Sequence, residues 1–251
     1  MKQPLLIYAN YLPTAAVTAT DTAAGLDPND VLQAEEDNVW QPLNATGPKN
    51  LVIDLGASQE LGCLGLVGES LNGVILEVRA SSDNFVTSDV QMSAPATIDD
   101  FISTWRAWGN ATYRYWKLVF SNLGASFLVA HLALCHFDFL PWFSDGMDPD
   151  AYQTTGYQLT SPGGHYLGSN RLRTMRSIDL MWGKVTDAHY ALFQAWAEVC
   201  VHQMNAFFLV PDSSQATCYF CWLSDPKFTW KVPRQGGVRT MPTIAVTSRV
   251  P

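Results

Sequence analysis

Leu51-Val52-Ile53-Asp54-Leu55-Gly56 is an apolar run of strand length stopped by a glycine, and it sets the reading of everything around it. A buried strand has this form. Cys63-Leu64-Gly65-Leu66-Val67 is a second such run. In Val74-Ile75-Leu76-Glu77-Val78-Arg79-Ala80, the residues Leu76, Val78 and Ala80 take one side and Glu77 and Arg79 the other. Tyr113 to Phe120 alternates in the same way, with Trp116, Leu118 and Phe120 inward, and Phe127 to Phe137 gives one more apolar strand. Short strands punctuated by Gly, Asn, Ser and Pro imply a sandwich.

The pattern breaks between about Pro141 and Asn170. Pro141, Pro149, Pro162 and Gly163-Gly164 make this a long connection or arm. Its aromatic residues, Trp142, Phe143, Tyr152, Tyr157 and Tyr166, imply that it packs on something. A strand from about Arg171 to Trp182 follows, with Ile178, Leu180 and Trp182 on one face. Thr186 is placed to cap a helix, and Asp187 in the first turn complements its dipole. Leu192, Phe193, Trp196 and Cys200 form the buried stripe of that helix, about 187–203. Ala206–Val210, Cys218–Leu223 and Thr243–Arg249 return to strand, with Phe228-Thr229-Trp230 a further one. The chain therefore divides into 1–140, a connection 141–170, and a unit 171–251 in which one helix packs on a sheet. The fold class is mainly β.

Charged side chains make up 15% of the 251 residues, so much of the surface must be polar-neutral or covered by partners. Residues 1–140 carry 6 basic against 15 acidic side chains, and residues 141–251 carry 9 against 8. The acidic half argues against nucleic acid and anionic membrane as partners. The run Pro4-Leu5-Leu6-Ile7-Tyr8 is too short for a signal-peptide core, and no apolar stretch reaches membrane-spanning length. A soluble chain made without secretory processing is expected. Five cysteines, an odd number, do not form a disulfide framework.

The first half resembles the discoidin, or coagulation-factor type C, branch of galactose-binding-like sandwiches (jelly rolls). Val17-Thr18-Ala19-Thr20-Asp21 looks like that family's opening strand, and Gly25 to Leu32 like the loop after it. Asn38-Val39-Trp40 is similar to its tryptophan after an acidic loop, and Leu51 to Gly56 to its apolar-Asp-Leu-Gly strand. Leu76 to Asp83 and Arg114 to Leu118 match two later strands. Trp40 is large enough to close one end of a sandwich, and Asp54 is placed to cap backbone donors there. Trp40, Asp54 and Trp116 are read as structural sandwich residues. The family's Asp-Gly-Asp-like stretch, sometimes associated with calcium or sugar, is Gln33-Ala34-Glu35-Glu36-Asp37 here and lacks the glycine.

Cys218-Tyr219-Phe220-Cys221, with Cys200 and His202 upstream, has ligand types that hold zinc or iron–sulfur clusters. Residues three apart on a strand point to opposite faces, so the competing reading is of buried cysteines acting as small hydrophobes. His131, His136, His165, His189 and His202 show no metalloprotease spacing, and no nucleophile elbow or phosphate loop is present. No enzyme activity and no cofactor are expected. Arg171, Arg173 and Arg176, and Arg234, Arg239 and Arg249, form either a solvated rim or contacts to acidic surfaces of neighbouring copies, such as Glu35-Glu36-Asp37. Trp105, Trp108 and Trp142 are read as exposed aromatics that pack into a neighbour or stack on sugar rings.

A discoidin-like module joined to a strand–helix–strand unit resembles the distal-tail and tail-tip proteins of tailed bacteriophages. There, a tube-like β-sandwich with one helix forms rings that a galactose-binding-like module decorates. The resemblance implies a virion structural protein, assembled in the host cytoplasm. Its partners would be copies of itself in a closed trimeric or hexameric ring, together with tube and hub proteins. The alternative is a carbohydrate-binding module protein that contacts host surface glycans.

Overall fold

The computed structural model describes residues 3–8, 15–33, 39–99, 103–124, 126–136, 140–141, 143, 152–160, 166–202, 205–225, 234–235, 238–241 and 243–249. Within these, the side chains of 152–174, 234–235, 238, 240 and 249 lie outside the description. The strands in chain order are β1 (Leu5–Ile7), β2 (Ala16–Ala19), β3 (Lys49–Glu69), β4 (Ile75–Ser81), β5 (Val90–Thr97), β6 (Ser103–Ser121) and β7 (Leu128–Cys135). Then follow β8 (Tyr152–Thr160), β9 (Tyr166–Leu180), β10 (Lys184–Val185), β11 (Phe207–Val210) and β12 (Tyr219–Leu223). The last are β13 (Arg234–Gln235), β14 (Val238–Thr240) and β15 (Ile244–Arg249). The α-helix α1 (Asp187–Trp196) sits between β10 and β11 and runs on into a π-helical turn, Ala197–Val201.

The protein is mainly β, as its alternating runs predict. Strands β2-β3-β6-β4-β5 form one sheet, with β7 added on β3. β3 and β6 are long enough to serve two layers, and their pairing shifts register between Asp54 and Gln59 and again between Leu61 and Cys63. Gly56, at φ +75°, takes the left-handed conformation at the first shift. The sheet thereby closes over a single core resembling a galactose-binding-like sandwich. Leu51 and Ile53 from one half of β3, Leu64 and Leu66 from the other, and Trp116, Leu118 and Phe120 all enter it.

The second sheet has the order β1-β11-β12-β15-β9-β8. Here the structure departs from the sequence division. Leu5–Ile7, read as part of the first unit, pairs with Phe208–Val210 of β11. The chain leaves this sheet after β1, builds the whole sandwich, and returns where Leu140 N donates to Pro4 O at 2.9 Å. The sandwich is thus inserted into the second unit. A three-residue run carries too little periodicity to reveal a partner about two hundred positions away. The 141–170 connection also differs from expectation, because Tyr152–Thr160 and the start of β9 are paired strand. Trp142 and Phe228-Thr229-Trp230 lie outside the described residues.

The two sheets stack face to face. Alternation in β3 sends Leu64 and Leu66 into the sandwich core and Cys63 and Val67 to the opposite face. There they meet Leu5, Ile7, Ala130, Ala133, Phe208, Val210 and Phe220. β11 alternates in the same way, with Phe208 and Val210 at this seam and Phe207 and Leu209 facing the helix. On that side Phe193, Trp196 and Cys200 are buried, and Thr186 accepts from His189 N at 3.3 Å as the N-cap. Leu192 is only partly buried. Hydrogen bonds that cross the seam include Ser103 Oγ to Cys218 O at 2.6 Å and Trp105 Nε1 to Gln215 O at 3.2 Å.

Gly65 lies under Phe208, and a Cβ built there would stand 2.4 Å from Phe208 Cδ2. Only a residue without a side chain lets that ring close on β3. Gly65→Ala is therefore expected to destabilise the protein by about 1–3 kcal/mol through overpacking. Adding Phe208→Ala should make the double variant's loss smaller than the sum of the two single losses in urea denaturation. Additive losses would contradict the contact.

Candidate functional site

The loop end of the sandwich is held by charge and aromatic packing. Trp40 is fully buried, pairs with Val129 through its backbone, and donates Nε1 to Asp21 O and Thr22 Oγ1, both at 3.2 Å. Its ring lies 5.8 Å from Phe127 and 6.0 Å from Phe120. Lys49 is buried beside it, with Nζ on Asp21 Oδ2 and 3.0 Å from Asn44 Oδ1. The hydrogen bond from Lys49 holds the Asp21 carboxyl below its usual range. Asp54 accepts from Gly56 N at 2.8 Å and from Arg114 Nε and Nη2 at 2.7 and 2.8 Å. That two-point ion pair lowers the Asp54 pKa, and hydrogen bonding to Arg114 is the largest cause. Trp116 sits in the core, with Trp108 at 5.4 Å and Tyr113 at 6.0 Å.

The structure does not gather the candidate cysteine cluster. Cys218 belongs to the seam, while Cys221 and Cys200 belong to the helix side of the same sheet. Burial pushes the Cys200 and Cys221 thiols up, which opposes the thiolate that a metal needs. Among the described residues, no group of three or more His, Cys, Asp or Glu is placed to hold a metal ion. Two other cysteines do come together: Cys63 and Cys135 are register partners with sulfurs 3.2 Å apart. Each looked like an ordinary strand residue, because their meeting depends on a register that local patterning does not carry.

The arginines separate into two groups. Arg239 Nε binds Asp187 Oδ1 at 2.8 Å and its guanidinium lies over Tyr190, while Arg176 lies over Tyr219. These two are engaged within the chain. Arg171 and Arg173 lie on β9 where it pairs with β8 alone, opposite Gly156 and Thr155, and Arg234 pairs with Arg239 in the small β10-β14-β13 sheet. Trp105 packs in the seam and Trp108 donates to Leu61 O at 3.2 Å, so neither is the exposed aromatic that was expected. Glu35-Glu36-Asp37 lies outside the described residues.

Two surface features remain. β9 pairs with β15 only over Met175–Leu180, whereas its residues 166–174 pair with β8 alone. This two-stranded ribbon runs about 30 Å beyond the sheet at roughly 3.3 Å per residue. Among the described residues, β9 is the one element with which β8 makes more than marginal contact. The second feature is an open cavity of about 220 Å³ between sandwich and second sheet, lined by Thr97, Asp99, Thr104, Arg106, Ala216 and Thr217. Arg106 stitches its wall, donating Nη1 to Thr104 Oγ1 and Trp105 O, and Nη2 to Ala96 O and Thr97 O.

No protein-family profile matches the chain. No curated protein matches it either. Solved structures similar to about half of it include carbohydrate-binding modules. Chitosan-binding module 1 of the Paenibacillus sp. IK-5 chitosanase/glucanase is 16% identical, with a TM-score of 0.45 over 51% of this chain and 98% of that one. The Clostridium perfringens module CpGH89CBM32-5, solved with GalNAc-β-1,3-galactose, is 17% identical, with a TM-score of 0.44 over 51% and 99%. The family 32 module of C. perfringens NanJ, solved with galactose, is 13% identical, with a TM-score of 0.44 over 52% and 98%.

Among the described residues, His131 is the titratable ring at the seam. His131 is buried and stacked on Phe208 at 6.0 Å, with Nδ1 2.8 Å from Gln33 O. Burial pushes its pKa from 6.5 down to about 4, against the hydrogen bond to Gln33. Between those values the unfolded chain takes up a proton that the folded chain refuses. Stability from this group is therefore full above pH 6.5 and falls by roughly 3 kcal/mol as the pH drops toward 4. His131→Gln is expected to flatten that part of the urea-denaturation pH profile. An unchanged slope would contradict the burial.

Proposed function

We propose that this chain is a virion structural protein of a bacteriophage tail tip, a distal-tail or baseplate ring component joining tail tube to tip. The observation that carries the reading is the β8–β9 ribbon. A two-stranded hairpin is at best marginally stable alone in water, and an unpaired edge strand is a template for another chain. A ribbon of this length therefore wants a surface, and a neighbouring copy in a closed ring supplies one at every subunit. Arg171 and Arg173 lie on that ribbon. In this reading the second unit is the tail-tube-like ring former, and the inserted sandwich is presented outward. Tube and hub proteins would stack on the ring's two faces. The work is mechanical, without catalysis or a cofactor. Assembly takes place in the host cytoplasm and the product is part of the virion.

The experiment removes the ribbon tip. Replacing residues 156–171 with an Asn-Gly turn should leave the circular-dichroism spectrum of the rest intact and abolish the oligomer that the wild-type protein is expected to form on a sizing column. An oligomer of unchanged mass would contradict the proposal.

The junction cavity favours a second reading, a module that holds host glycans. The Asp99 carboxylate accepts from hydroxyls, and Thr97 and Thr217 offer hydroxyls of their own, a polar set suited to a sugar ring. This reading expects saturable binding of galactose or chitotriose by calorimetry, weakened at least tenfold by Asp99→Asn. No heat with either sugar would count against it.

A further inference from the structure

Cys63 on β3 stands directly opposite Cys135 on β7 in an antiparallel ladder. Partners in such a ladder are about 4.5–5.5 Å apart at Cα, within the roughly 4.4–6.8 Å that a disulfide spans. The sulfurs are already 3.2 Å apart, with both residues fully buried at the seam between the sheets. Beside them is a small, partly open cavity of about 30 Å³, lined by Cys135 and His136 with Leu6, Tyr8, Leu140 and Trp196 among its walls. Its volume suits a molecule about the size of one water. Cys63 is not part of that lining, so a small oxidant entering there meets Cys135 first.

We propose that Cys63 and Cys135 are a modification site, a dithiol that a peroxide converts to a disulfide across the seam. The Cys135 sulfur attacks one oxygen of hydrogen peroxide. The O–O bond breaks, hydroxide leaves, and a sulfenic acid forms. The Cys63 sulfur then attacks the Cys135 sulfur, the S–S bond forms, and the S–O bond breaks with the oxygen leaving as water. Two thiols give up two electrons and two protons, and one peroxide becomes two waters. The bond would tie β3 to β7 across 72 residues of chain. It stays open in a reducing compartment and closes outside one.

The test treats the full-length folded protein with hydrogen peroxide, removes the peroxide, unfolds the protein in guanidinium, blocks the remaining thiols with iodoacetamide, and maps the peptides by mass spectrometry. Reactive thiols are expected to fall from five to three, with the Cys63 and Cys135 peptides joined. The melting temperature should rise by roughly 10 °C, as a long closed loop implies, and dithiothreitol should reverse both changes. In Cys63→Ala, Cys135 is expected to stop at a sulfinic acid with no cross-link. The wild-type map stands by itself if that variant does not fold. Survival of all five thiols, or a link from Cys135 to Cys200, would overturn the proposal.

Discussion

The contact of Phe208 on Gly65 governs the architecture. β3 is covered on both faces at this point, by the sandwich core on one side and the second sheet on the other. Covering both faces requires alternate residues to be apolar on each, and it requires one position without a side chain where the ring lands. Gly65 meets that requirement, and Phe208, His131 and Phe220 fill the space around it. Interiors are packed as densely as organic crystals, so a methyl group at Gly65 has nowhere to go.

Several features follow from this seam. Because β1 and β11 form its far wall, the chain leaves the second sheet after β1, builds the sandwich, and returns beside Pro4 at Leu140. An insertion tethered at two adjacent points and packed over an apolar layer has little freedom to swing. The sandwich and the second sheet therefore form a stack that ends in α1, with apolar layers between neighbours. Two polar groups in the stack are bonded in place: Ser103 Oγ to Cys218 O and His131 Nδ1 to Gln33 O.

The strands of the sandwich were legible in the sequence because each is a local signal. Leu76, Val78 and Ala80 and their solvent-facing neighbours Glu77 and Arg79 alternate within one strand, and Thr186 caps its own helix. What failed to show was everything set by long-range register. Leu5–Ile7 belongs to β11, Cys63 meets Cys135, and Trp105 is covered at the seam, yet none of these partners lies near in sequence. The arginines were recognisable as a basic group. That Arg239 would be engaged by Asp187 and Tyr190, while Arg171 and Arg173 ride on a projecting ribbon, depends on the tertiary fold. The opposed faces of Cys218 and Cys221 were legible, since strand periodicity alone separates residues three apart.

The proposal that copies of this chain complete one another rests on its low charge and on a ribbon in which, among the described residues, β8 makes more than marginal contact with β9 alone. The mass of the purified wild-type protein by light scattering, across a hundredfold range of concentration, tests this most directly. A discrete trimer or hexamer, held on dilution, is the expected result. A monomer at every concentration would contradict self-assembly through the ribbon.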